Sequence, residues 1–235
     1  MDTKALQLAS RFSLAPNSLG YCGKNTATQR FITCIQSGHC QFVEDELRKF
    51  IVLYPYYKTI AKIAKQPLFS YKVIESYWIG NDLLTQAKPE HYDILLEAFK
   101  TQGVPEWFVA ELRQNRPAFF IPNHLFQVLY IGVGKASGAV PFNISSINNC
   151  MVRWGNVEQI NSSRLTILLN SLRKNGHRYE LVKKRAHLKI DKKIIKEVKL
   201  GDCVGVHWRM IVKKLNKAEE NKLEFWTKKI CASLG

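Results

Sequence analysis

Apolar positions return at two different periods along this chain. Up to about residue 149 they recur every three or four residues, the spacing of helices that bury one face. Ala5 to Phe12 predicts a short helix that stops before Pro16-Asn17, and Gly20-Tyr21-Cys22-Gly23 predicts a turn. Thr26 to Gln36 predicts a second helix, ended by Ser37-Gly38. Phe42 to Lys65 carries Val43, Leu47, Phe50, Ile51, Tyr54, Tyr57 and Ala61 at helical spacing, with Pro55 expected to kink it. Ser70 to Leu84 repeats the pattern. Pro89 and Pro105 each stand where a helix opens, before His91–Lys100 and Glu106–Gln114. Asn123 is placed to cap a helix running to about Gly134, and a short helix or connection covers Asn143 to Asn149.

After Cys150 the period changes to two, which predicts strands. Met151–Ile160, with a bend at Gly155, and Arg164–Leu169 are the first two. Asn175-Gly176 predicts the turn that closes a hairpin onto a long basic strand, Tyr179–Ile190. Leu200-Gly201-Asp202 predicts a turn into a strand from Cys203 to Val212. Asn216 with Glu219 three residues on predicts a capping box, and a last helix then runs to about Ser233. The expected architecture is α+β, an all-helical domain over 1–140 and a small closed, OB-like β-barrel with a C-terminal helix over 150–235.

Composition adds a charge argument. The 235 residues hold 35 Lys and Arg against 19 Asp and Glu, a formal net charge of +16. Residues 150–235 carry 20 of the basic and 8 of the acidic residues, so most of the field lies on the last third. Such a field attracts nucleic acid, anionic lipid or an acidic protein. It peaks between Arg173 and Lys199, where Lys183, Lys184 and Arg185 sit together on the long strand. No apolar run reaches the length of a membrane helix, and Met1-Asp2-Thr3-Lys4 has no leader pattern. The expectation is a soluble cytoplasmic protein. Six cysteines at irregular spacing then predict free thiols rather than a disulfide framework.

Two segments carry chemistry. The first is Cys150-Met-Val-Arg-Trp154-Gly155-Asn-Val157-Glu-Gln-Ile160. The second is Val198-Lys-Leu-Gly201-Asp202-Cys-Val204-Gly-Val206-His207. Together they resemble the HypC/HupF hydrogenase maturation chaperones, which have a cysteine, a glycine five residues on and Val-x-x-Ile. Near their end those chaperones carry Val-x-x-Gly-Asp-x-Val-x-Val-His, a final strand and a helix. The resemblance covers 150–235 and implies a HypC-like barrel and a non-enzymatic assembly factor for a nickel–iron hydrogenase or a related metallocentre. It implies that the Cys150 thiolate holds iron bearing cyanide and CO ligands, or contacts a partner, with His207 assisting. It further implies protein partners, a hydrogenase large-subunit precursor and a HypD-like scaffold, near Trp154, Gly155, Gly201, Asp202 and Trp208. Neither a membrane partner nor a small-molecule substrate is expected. The chain departs from the chaperones in three ways: 149 residues precede Cys150, Trp154 stands where proline is usual, and Trp208-Arg209-Met210 follows the histidine. The whole chain also resembles a bacterial family of unknown function, through Tyr21-Cys22-Gly23 and Tyr77-Trp78-Ile79-Gly80-Asn81.

Other expectations stand beside this one. A basic barrel could bind RNA through Lys183, Lys184 and Arg185. Cys150 could instead be a nucleophile with His207 as base. Cys34, His39 and Cys40 are close in sequence, but Cys34-x5-Cys40 is a poor zinc spacing, so a helix end is the plainer expectation. His124 reads as a histidine in a helix-capping region.

Overall fold

The computed structural model describes residues 2–24 and 26–234; of the N-terminal stretch read for a leader, Met1 lies outside them. The first half is helical. α1 (Thr3–Ser18) is followed by α2 (Ala27–Ser37), α3 (Val43–Arg48), α4 (Leu53–Ala64), α5 (Tyr71–Trp78), α6 (Tyr92–Gln102) and α7 (Glu106–Gln114). A single turn, α8 (His124–Phe126), continues into a π-helical stretch, Gln127–Gly132, and α9 spans Ile144–Cys150. Short 3-10 turns at Asp82–Gln86 and Pro89–His91 join α5 to α6.

Several helix ends differ from the sequence reading. α1 runs through Pro16 to Ser18, because a proline in the final turn forfeits only a hydrogen bond near the helix end. The expected Phe42–Lys65 helix is two helices, broken at Lys49–Val52. Pro55 lies in the first turn of α4, where its missing N–H costs nothing, so it opens a helix rather than kinking one. α5 stops at Trp78 because Gly80 takes a φ of +93°. A Cβ there would also fall 2.2 Å from the Trp226 ring of the last helix. Asn143 caps α9 as expected, its side chain accepting from the Ser146 N–H at 2.9 Å.

The strands are β1 (Arg153–Asn161), β2 (Arg164–Asn175), β3 (Arg178–Lys189), β4 (Cys203–His207) and β5 (Met210–Lys214). They form one antiparallel sheet in the order β3-β2-β1-β4-β5. The sheet is open, not the closed barrel expected. β3 and β5 approach one another, but no ladder joins them among the described residues. The Asn175-Gly176 turn closes the β2–β3 hairpin as predicted, with Asn175 opposite Arg178. The irregularity in β1 falls between Val157 and Gln159 rather than at Gly155. Gly155 is required for a different reason: a Cβ there would sit 1.9 Å from the Leu168 carbonyl oxygen of the paired strand. The expected Cys203–Val212 strand is a hairpin. Trp208 and Arg209 form its two-residue turn with φ of 46° and 61°, the left-handed pair of a type I′ turn.

α10 (Lys217–Ser233) begins at the predicted capping box. The Glu219 N–H donates to Asn216 Oδ1 at 2.9 Å, and the Asn216 N–H donates to Glu219 Oε2 at 3.1 Å. α10 packs its apolar face onto β3 and the helical half. The large apolar core therefore contains Phe12, Tyr77 and Phe126 together with Trp154, Leu172, Val212, Trp226 and Ile230. A smaller core, including Val157, Ile167, Leu188, Val204 and Ile211, lies within the sheet.

Cys34 and Cys40 are joined in a disulfide, against the expectation of free thiols. Gly38 ends α2 with a φ of +75° and turns the chain back, which brings the two Cα atoms to 4.4 Å. That separation suits a bridge. Among the described residues no helix is long and apolar enough to cross a membrane.

Candidate metal centre

Three elements converge on one point in the interior. Cys150 is the last residue of α9, His124 the first of α8, and His207 the last of β4. All three are buried, and their ligating atoms lie within 4.8 Å of one another. The Cys150 Sγ is 3.8 Å from His124 Nε2. The imidazole rings meet edge to face at 5.2 Å between centroids. Trp78 packs against both, at 4.5 Å from His124 and 5.3 Å from His207.

Hydrogen bonds fix the ring protons. A carbonyl oxygen only accepts, so His124 Nε2–H donates to the Cys150 carbonyl at 2.7 Å. Its Nδ1 then accepts from the Tyr77 hydroxyl at 2.9 Å. His124 is thus satisfied on both sides. His207 differs: Nδ1–H donates to the Phe12 carbonyl at 2.6 Å, which leaves a lone pair on Nε2. That atom is buried and makes no hydrogen bond, although the Cys150 carbonyl lies near enough to the ring to favour its charged form. An imidazole anchored through one nitrogen to a backbone carbonyl, with the other nitrogen bare, has the form of a metal ligand with its outer-shell support in place.

The same space is a cavity of about 310 Å³. Cys150, His207 and Trp208 line it with Tyr77 and Trp78, and Phe50, Val52 and Ile131 add apolar wall. The 20–23 turn, carrying Cys22, also borders it. The Ser13 hydroxyl, on its wall, is buried without a hydrogen-bond partner as well. π-helical segments often accompany functional sites, and the one at Gln127–Gly132 forms part of this wall.

Burial dominates the electrostatics. It pushes the Cys150 thiol well above its usual range, reinforced by the nearby Cys22 thiol and opposed by the Trp208 indole N–H. It lowers His207 to about 4, against the Phe12 and Cys150 backbone carbonyls, which favour the charged ring; Arg153 adds to the lowering. His124 is held well below its usual value by burial and then by His207. At neutral pH the cluster is two neutral imidazoles and a thiol. A thiol in this setting is a poor nucleophile, but a metal ion supplies the charge that displaces its proton.

The donor set fits a soft or borderline transition metal. Cys150 and the bare His207 Nε2 are ready; His124 would have to give up its bond to the Cys150 carbonyl to join them. The spacing between Pro122-Asn123-His124 and Cys150 held no motif, so the sequence did not reveal that His124 belongs here. The one local signal was the cap at Asn123, whose side chain also accepts from the Leu125 N–H.

The remaining sequence candidates lie elsewhere. The Trp154 side chain is buried in the core, and Gly155 is pressed against β2. Gly201 turns the chain at a φ of +81° and bonds to the Val157 carbonyl. Asp202 accepts from the Lys199 N–H and pairs with Lys214 at 2.7 Å. Burial opposes the Asp202 charge, but those contacts outweigh it and hold the carboxyl below its usual range. These four residues shape the β1–β4 junction rather than the cavity. Lys183, Lys184 and Arg185 are exposed on the edge strand β3, and Arg185 pairs with Glu158 at 2.8 Å. The Cys34–Cys40 bridge removes any metal at that pair.

A family model described as a family of unknown function (DUF6390) matches residues 1–233, and the chain belongs to that family. None of the curated proteins compared and none of the solved structures compared matches it.

Proposed function

Starting from membership of a family without an assigned activity, we propose that this protein is a metallocentre assembly factor rather than an enzyme. The observation that carries the proposal is the bare, buried His207 Nε2 beside the Cys150 thiol on the wall of a cavity. Cys150 and His207 are the two residues that the chaperone resemblance singles out, so the iron unit with cyanide and CO ligands is the leading cargo. A thiolate suits such low-spin iron better than carboxylates do. A likeness of 150–235 to the HypC chaperones, carried here on an open sheet, and a hydrogenase precursor and HypD-like scaffold as partners, form part of the same proposal. This chain's own residues would hold the cargo through Cys150, orient His207 through the Phe12 carbonyl and keep bulk water out with Trp78 and Tyr77. Among the described residues no cation lowers the buried thiol's pKa, which favours metal holding over nucleophilic catalysis.

Infrared spectroscopy tests this. The protein is co-expressed with active hydrogenase-assembly proteins and purified without oxygen. Carbonyl and cyanide stretching bands are expected in the wild type and not in Cys150→Ala. Absence of the bands from both would overturn the iron cargo.

A further inference from the structure

The cavity has a second free thiol. Four cysteines among the described residues are unbridged, and two of them, Cys22 and Cys150, border this space. Cys22 comes from the helical half and is exposed, whereas Cys150 is buried. The backbone at Cys22 is held: its N–H donates to the Pro16 carbonyl at 3.3 Å, and its carbonyl accepts from Asn17 Nδ2 at 2.9 Å. Gly20 and Gly23 flank it, both with φ of +73°, so the turn presents one short side chain from a fixed base, its thiol pushed up to about 11 by the surrounding protein. The Cys22 thiol stands outside the tight His124–Cys150–His207 group. The bare His207 Nε2, at 1% exposure for the residue, borders the same volume. Two sulfurs and an imidazole nitrogen around a largely apolar space form a donor set selective for thiophilic ions.

We propose that Cys22 is the second thiolate ligand of this centre, making it a two-sulfur, one-imidazole site for a thiophilic transition-metal ion that enters past Cys22. The inference rests on the metal-holding proposal and adds to it a donor from the helical half. On binding, each thiol gives its proton to solvent and forms one sulfur–metal bond; no electron is transferred.

The test uses the metal-free full chain and Co(II) alone, without oxygen. Thiolate-to-cobalt absorption in the near ultraviolet reports the number of sulfurs bound. Cys22→Ser and Cys150→Ser are each expected to lose about half of the wild-type band, since each removes one of two thiolates. Cobalt is also expected to shield Cys22 from alkylation by iodoacetamide, read by mass spectrometry. If Cys22→Ser keeps the full band and Cys22 alkylates equally with and without cobalt, the second ligand is disproved while the metal centre stands. No band in the wild type removes both. Should Cys22→Ser fail to fold, the alkylation result on the wild type decides alone.

Discussion

At the residue scale, the centre is defined by which ring atoms carry protons. His207 donates to the Phe12 carbonyl and stays neutral because burial lowers its pKa to about 4 from an ordinary 6.5. Between those two values the unfolded chain binds the proton that the folded chain refuses. Stability of the metal-free protein is therefore full above about pH 6.5 and falls as the pH drops toward 4. The loss expected from this histidine is about 3 kcal/mol. Denaturant midpoints measured across that range should show the slope, and His207→Gln should flatten it. A slope unchanged in the variant would mean that other groups drive the acid transition. Cys150 and His207 stand out in the sequence because each sits in an ordered motif, and the fold brings the two together. His124 was not, because its partner lies 26 residues away across a chain reversal. Cys34 and Cys40 read as free thiols in the sequence because irregular spacing says nothing of the Gly38 reversal that brings them together.

At the element scale, most boundaries followed from caps and turn residues. α7, α10 and the β2–β3 hairpin lie where Pro105, the Asn216–Glu219 box and Asn175-Gly176 put them. The sequence misled where no punctuation residue marks the break. The β4–β5 turn uses Trp208 and Arg209, two residues that disfavour positive φ, so a continuous strand was the natural expectation. Arg209 is exposed and its guanidinium lies near that of Arg153. Arg209→Gly should therefore stabilise the fold by roughly 1 kcal/mol, through relief of left-handed strain. Thermal denaturation checks this; an equal or lower midpoint would show that Arg209 makes a compensating contact. Trp208 is strained at the cavity wall itself, where sharp backbone conformations commonly serve a site.

At the scale of the whole molecule, the two periods of the sequence correspond to helices and sheet, but their apolar surfaces merge. The large core takes Trp154, Leu172, Trp226 and Ile230 from the last third and Phe12, Tyr77 and Phe126 from the helices. Residues 150–235 expressed alone would expose that face, and are expected to show no cooperative thermal transition. A sharp transition and dispersed amide resonances from the fragment would contradict this. The full chain is expected to unfold in one step.

The His207 ring is steered by a carbonyl at position 12, and the cavity it borders is lined from positions 22 and 150 and overlooked by His124. The parts of the centre are thus scattered from one end of the chain almost to the other. A nascent chain has no such centre until β4 has been made and has returned to α1. On the proposed metal site, loading would act as a receipt for completed folding: the site exists only once β4 lies against α1, and a misassembled chain would be left visibly empty.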